Sequence, residues 1–194
     1  MKAIRLTSPA PRLQVTRRTL GPLSSSHRSS VVMALIVAAC LAIPCTPIAS
    51  AADSLIHKPA PTFARTSLDH KQLDLRAYRG KVILLNFWAT WCAPCQLEMP
   101  HFVAWQTQYG ALGLQVIGIS MDDDPALVRN LYQKLHLNYP VAMGDAKLGK
   151  LYGGVLGLPV TFLIDRNGEV QAEFQGETNL DKLESTFRPL LKQP

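Results

Sequence analysis

No cysteine follows Cys95, although about half of the chain lies beyond it. A zinc site normally takes four ligands, and neither a second cysteine pair nor a cysteine-histidine set at short spacing is present to complete one. Covalent haem attachment fails equally, because Gln96 and not histidine stands directly after Cys95. Acidic residues are missing from 1–52, which hold Lys2, Arg5, Arg12, Arg17, Arg18 and Arg28. The formal charge of +6 therefore belongs to that segment, and residues 53–194 carry fourteen basic against fourteen acidic side chains. A neutral domain has no field to draw nucleic acid to it, so no nucleic-acid partner is expected. No internal repeat and no low-complexity tract interrupts it.

The apolar run 31–43 is also short, since a bilayer-spanning helix needs about 20 residues. It follows the basic segment and precedes the small residues Ala49-Ser50-Ala51-Ala52, which is the layout of a secretory signal cleaved after Ala51 or Ala52. Extending the run to Ile48 gives the alternative of a retained membrane anchor. Two further readings stay open. Met33 as the true start would remove the basic region, and Val37-Ala38-Ala39-Cys40 resembles a bacterial lipoprotein processing box with lipid on Cys40. The run continues past Cys40, which favours a small apolar residue there. The expected organisation is a leader or anchor over 1–52 and one domain over 53–194, enough chain for one core and too little for two. Residues 53–61 read as a linker or N-terminal arm.

What remains in that domain is one cysteine pair, Cys92 and Cys95, in Trp91-Cys92-Ala93-Pro94-Cys95. It stands at the end of the buried-strand pattern 82–89, where a helix over 96–109 begins and stops at Gly110. Unpaired amides and the helix dipole at such a junction favour negative charge, so Cys92 is the expected nucleophile. The competing readings are an inert structural disulfide and metal ligation; an exported compartment and the two-residue spacing favour a redox-active pair.

Downstream, 112–121 reads as a second apolar strand, and Asp124-Pro125 as the cap and first position of a helix running through Leu135. The acids Asp122 and Asp123 before it have a local reason to be there, which outweighs a cation site. A short strand over 139–143 and a short helix over 148–152 follow. Residues 160–165, the turn Arg166-Asn167-Gly168 and 170–175 form a hairpin, and 180–191 is an amphipathic closing helix. The expected class is α/β, a central mixed β-sheet flanked by α-helices.

Residues 86–95, Glu98-Met99-Pro100, 118–122 and 157–165 together resemble the thioredoxin-like superfamily, and within it the exported TlpA/ResA-type thiol-disulfide oxidoreductases. The resemblance implies a thioredoxin-like fold with Cys92 attacking, Cys95 resolving, and the two forming the redox-active disulfide. It implies a cis peptide before Pro159, with Leu158 binding an extended substrate strand by its main chain. Ordinary thioredoxins have a buried aspartate where this chain has Asn86, whereas ResA-type relatives carry a glutamate at the position of Glu98. Glu98 is thus the expected proton acceptor for Cys95, against the plainer reading of an exposed first-turn residue complementing the dipole. Pro100 should kink the helix, Trp88 and Trp91 should wall the disulfide, and Trp91 and Pro94 join Leu158 and Pro159 as candidate substrate contacts. His101 reads as a solvated or rim residue.

The function this implies is exported dithiol-disulfide exchange without a cofactor. The chain would reduce client disulfides, as in cytochrome c maturation or at copper-site cysteines, and be recharged by a membrane thiol donor. The alternatives are a disulfide-inserting oxidant and a copper-binding chaperone, whose cysteines are usually three residues apart with a distal histidine. Peroxidase chemistry would call for a threonine-x-x-cysteine pattern, but Thr90 stands only two before Cys92.

Overall fold

The computed structural model describes residues 54–193. The leader, Cys40, Cys45 and every expectation attached to them lie outside the described residues. Among those described, no helix is long and apolar enough to cross a membrane.

The first strands described form a small antiparallel hairpin, β1 (Ala64–Thr66) and β2 (Gln72–Asp74), followed by a 3-10 turn over Leu75–Tyr78. The strand β3 (Val82–Trp88) then runs through the middle of the molecule, and all seven of its residues are buried. A continuous apolar sequence is what a strand covered on both faces requires. Helix α1 (Ala93–Tyr109) follows, then β4 (Leu114–Ser120), α2 (Pro125–Lys134), β5 (Val141–Met143), α3 (Ala146–Leu151), β6 (Val160–Ile164), β7 (Val170–Gln175) and α4 (Leu180–Leu191).

The main sheet has the order β5-β4-β3-β6-β7. β3, β4 and β5 are parallel, joined by helical crossovers, whereas β6 lies antiparallel to β3 and turns back into β7. Alternate side chains of β3 feed two separate cores, because successive Cβ atoms point to opposite faces. Val82, Leu84 and Trp88 pack with Met99, Phe102, Trp105 and Phe187, which joins α1 and α4 to that face. Ile83, Leu85 and Phe87 pack with Phe162, Tyr152, Leu73 and Phe63 on the other. The buried apolar residues of α1 recur every three or four positions, Cys95, Met99, Phe102, Trp105 and Tyr109, so one stripe meets the sheet.

Several elements differ from the sequence reading. The β1/β2 hairpin carried no pattern long enough to announce it, since each strand has three residues of mixed polarity. Of the two expectations for 53–61, linker or N-terminal arm, residues 57–60 bear out the arm, pairing with the start of β7 and the turn before it. His57 N–H donates to the Val170 carbonyl at 2.7 Å, Val170 N–H to Lys58 at 2.9 Å and Ala60 N–H to Gly168 at 2.9 Å. Helix α1 begins at Ala93, inside the cysteine motif, and stays α-helical through Pro100 to Tyr109. The hairpin turn after β6 is as expected, with Gly168 at φ 78° and Asp165 accepting from the amides of Asn167 and Glu169.

Candidate active site

The parallel ladder of β3 and β4 ends at Trp88 opposite Ser120. Past it the chain makes a tight turn, Cys92 N–H donating to the Ala89 carbonyl at 3.2 Å, and enters α1 with Cys92 as N-cap. Cys92 and Cys95 form a disulfide with Cα atoms 5.3 Å apart. Pro94 lies in the first turn, where its fixed φ suits the helix and its missing N–H costs nothing. The Cys95 amide is aimed at Cys92 Sγ, 3.3 Å away. An N–H directed at sulfur from a helix N-terminus stabilises a thiolate there once the disulfide opens.

The two sulfurs differ little in access: Cys92 is 5% exposed and Cys95 1%. Cys92 is therefore far less open than a freely accessible thiol, and both cysteines belong to the buried cluster that holds Trp88, Ala89 and Met99. Trp88 is fully buried and serves as a wall. Its indole lies over Gly118, where a Cβ would come within 2.9 Å of Nε1, so only glycine admits this packing. Trp91 is not a wall: at 71% exposed it stands out beside the disulfide as a protruding apolar surface.

Glu98 lies one turn beyond Cys95, the spacing at which two side chains on a helix are neighbours. It is 2% exposed, which removes the reading of a solvated residue complementing the dipole. One oxygen, Oε1, accepts from the Thr178 amide at 2.7 Å, and Oε2 is buried with no partner among the described residues. Burial pushes its pKa above the ordinary carboxylate value, and the Thr178 hydrogen bond offsets part of that rise. Asn86, on β3 beneath the pair, donates from Nδ2 to Thr161 Oγ1 at 2.9 Å and ties β3 to β6.

The Leu158–Pro159 peptide is cis. The Pro159 carbonyl accepts from Gly176 at 2.8 Å, which pins the loop before β6 to the end of β7. An open cleft of about 320 Å³ flanks this loop, lined by Tyr152, Val155, Leu156, Leu158, Glu173 and Gly176. Leu156 at its rim is fully exposed. The Tyr152 hydroxyl donates to the Pro61 carbonyl at 2.7 Å, and burial pushes its pKa upward. His101 is exposed, its ring 6.3 Å from that of Trp105. Among the described residues, no three histidine, cysteine, aspartate or glutamate side chains cluster in a way that could hold a metal ion.

Sequence reasoning missed Asp122. Of the acidic triplet, Asp124 does cap α2, accepting from Ala126 at 2.8 Å, but Asp122 is buried and turned toward the active-site loop. It accepts from the Thr90 amide at 2.9 Å, from the Thr90 hydroxyl at 2.6 Å and from the Ser120 hydroxyl at 2.7 Å. Gln96 Nε2 holds the Thr90 carbonyl at 2.7 Å. Thr90 and Asp122 lie 32 positions apart, so no local pattern could reveal their contact.

A disulfide at a helix N-terminus, a buried carboxylate one turn beyond it, and a cis-proline loop whose Leu158 packs against the same core cluster as both cysteines are together suited to thiol exchange. The sequence model of the AhpC/TSA family matches residues 56–173. The thiol-disulfide oxidoreductase ResA of Bacillus thuringiensis subsp. konkukian is 37% identical over 136 residues, covering 70% of this chain and 78% of its own. The ResA of Oceanobacillus iheyensis is 29% identical over 171 residues, covering 86% and 88%. A crystal structure of a thiol:disulfide interchange protein of the thioredoxin family from Chlorobium tepidum superposes with a TM-score of 0.64 at 30% identity, covering 69% of this chain and 95% of that one. The chain belongs to the AhpC/TSA family and, within it, is a ResA/TlpA-type thiol-disulfide oxidoreductase with a thioredoxin-like fold.

Proposed function

We propose that residues 53–194 form the working domain of an exported reductant of client-protein disulfides. Cys92 thiolate attacks a client disulfide, forming a mixed disulfide and expelling the client's second sulfur as a thiolate. Glu98 then takes the proton of Cys95, directly or through water, and the Cys95 thiolate attacks Cys92 Sγ. The client leaves with both sulfurs reduced, and the enzyme retains the Cys92–Cys95 disulfide until a membrane thiol donor returns two electrons to it. Trp91, Pro94, Leu158 and Pro159 receive the client strand, whose main chain pairs with Leu158.

The observation that supports this reading most is the buried, half-satisfied carboxylate of Glu98 one turn from Cys95. A group whose proton affinity is raised by burial is suited to accepting a proton from a thiol and returning it later. Export is supported by the basic and apolar pattern of 1–52, and apocytochrome thiols awaiting haem or copper-site cysteines are the clients proposed. Replacing Cys95 by alanine stops the second step, so a covalent client-Cys92 adduct should accumulate and be identified by mass after mild alkylation of envelope extracts. Recovery of no adduct that reductant dissolves would overturn the client assignment.

A further inference from the structure

The acidic triplet after β4 has one member that its helix does not use. Asp122 is 7% exposed, and the hydrogens of Thr90 N, Thr90 Oγ1 and Ser120 Oγ all point at its two oxygens, the surroundings of a carboxylate. Ser120 Oγ in turn accepts from the Asp122 amide at 3.2 Å, which fixes the carboxylate relative to the strand end. Thr90 is two residues before Cys92, and consecutive Cα atoms are about 3.8 Å apart, so the charge stands roughly 10 Å from the attacking sulfur.

We propose that Asp122 is a positioning residue of the disulfide turn whose fixed negative charge makes the Cys92 thiol less acidic and the pair more strongly reducing. This rests on the reading of Cys92 as the attacking thiol. The α1 N-terminus favours the Cys92 thiolate, and Asp122 opposes it through Thr90 from the other side of the turn. A thiolate that is less stabilised makes the reduced pair less stable relative to the disulfide, and electrons then flow outward to the client. The other charged groups near the pair are Glu98 on α1, with His101 and Glu177 acting on it, and the exposed Asp123 and Asp124 at the start of α2. The loop 153–158 before the cis peptide carries no charge.

A unit charge about 10 Å away, at an effective dielectric of about 20 to 40, changes an acid constant by roughly fourfold to sixteenfold. A tenfold change corresponds to at most about 30 mV in a two-electron potential. Asp122→Asn keeps the size and an acceptor oxygen for Thr90 while removing the charge; Thr90→Val keeps the charge and removes one tether. The pH dependence of Cys92 alkylation by iodoacetamide, followed by mass on the reduced full chain, reads acidity without any client. Asp122→Asn should raise the Cys92 acid constant at least threefold and shift the glutathione equilibrium of the pair toward the dithiol, whereas Thr90→Val should leave acidity within twofold. If the asparagine variant does not fold, Asp122→Ser provides a second neutral substitution. Unchanged acidity in a folded neutral variant overturns the proposal, and so does failure of both to fold, since the carboxylate would then hold the structure and not the chemistry. Loss of client adducts with the acidity shift intact would instead overturn the reading of the client.

Discussion

Glu98→Gln should make the oxidised protein more stable at pH 8 and leave it nearly unchanged at pH 4. The folded chain binds the Glu98 proton more tightly than the unfolded chain, because burial outweighs the Thr178 hydrogen bond. Below the ordinary carboxylate range both states are protonated and the residue costs nothing extra. As pH rises through the unfolded value the unfolded chain releases its proton first, and stability falls until the folded group has also ionised. Each tenfold difference in acidity between the two states is worth about 1.4 kcal/mol. Glutamine retains the oxygen that Thr178 uses and carries no charge, so a gap in its favour is expected at pH 8, set by how much more tightly the folded chain binds the Glu98 proton. With a slope of about 1–3 kcal/mol per molar urea, each tenfold difference in acidity is a midpoint shift of roughly 0.5–1.4 M. Using the disulfide form keeps cysteine titration out of the measurement. A glutamine variant less stable than the parent at pH 8, or a gap that does not shrink toward pH 4, would refute the assignment of a raised pKa to Glu98. The same substitution should slow mixed-disulfide resolution by about a hundredfold or more and flatten its pH dependence, as loss of general base assistance does.

Phe87 is fully buried with the rings of Tyr152 and Phe162 at 5.2 and 6.0 Å, so Phe87→Ala should cost about 3–5 kcal/mol in urea unfolding; a loss below about 1 kcal/mol would show that this layer collapses to fill the space. Asp124→Ala removes the cap of α2 and should cost about 0.5–2 kcal/mol in thermal or urea unfolding, with disulfide exchange unaffected because Asp124 faces solvent. An equal stability for the alanine variant would mean that water replaces the cap at no cost.

The parts of the molecule that could be read in the sequence are those whose signal is local. The unbroken apolar run of β3 follows from burial on both faces. The Asn167-Gly168 turn and the Asp124-Pro125 helix start each carry their own backbone chemistry. The cysteine motif marked the start of α1, although the helix takes in Ala93 and Pro94, which the apolar periodicity alone leaves out. The rest depended on contacts between distant segments. Glu98 is buried by α4 and the turn before it, through an amide 80 residues away, and nothing near Glu98 distinguishes it from a solvated first-turn acid. Asp122 reads locally as one more helix-start carboxylate, and only the parallel pairing of β3 with β4 brings Thr90 to it. The β1/β2 hairpin and the 57–60 arm have no periodicity of their own and take their form from the sheet they cover.

The most direct test is equilibration of the full chain across a series of glutathione redox buffers, with the thiols of Cys92 and Cys95 counted by alkylation and peptide mass. The account predicts one two-electron transition that adds two labels together, is abolished by either Cys92→Ser or Cys95→Ser, and leaves a reduced form able to cleave insulin disulfides. A pair that stays oxidised at every attainable poise, or a reduced form that leaves insulin intact, would contradict it.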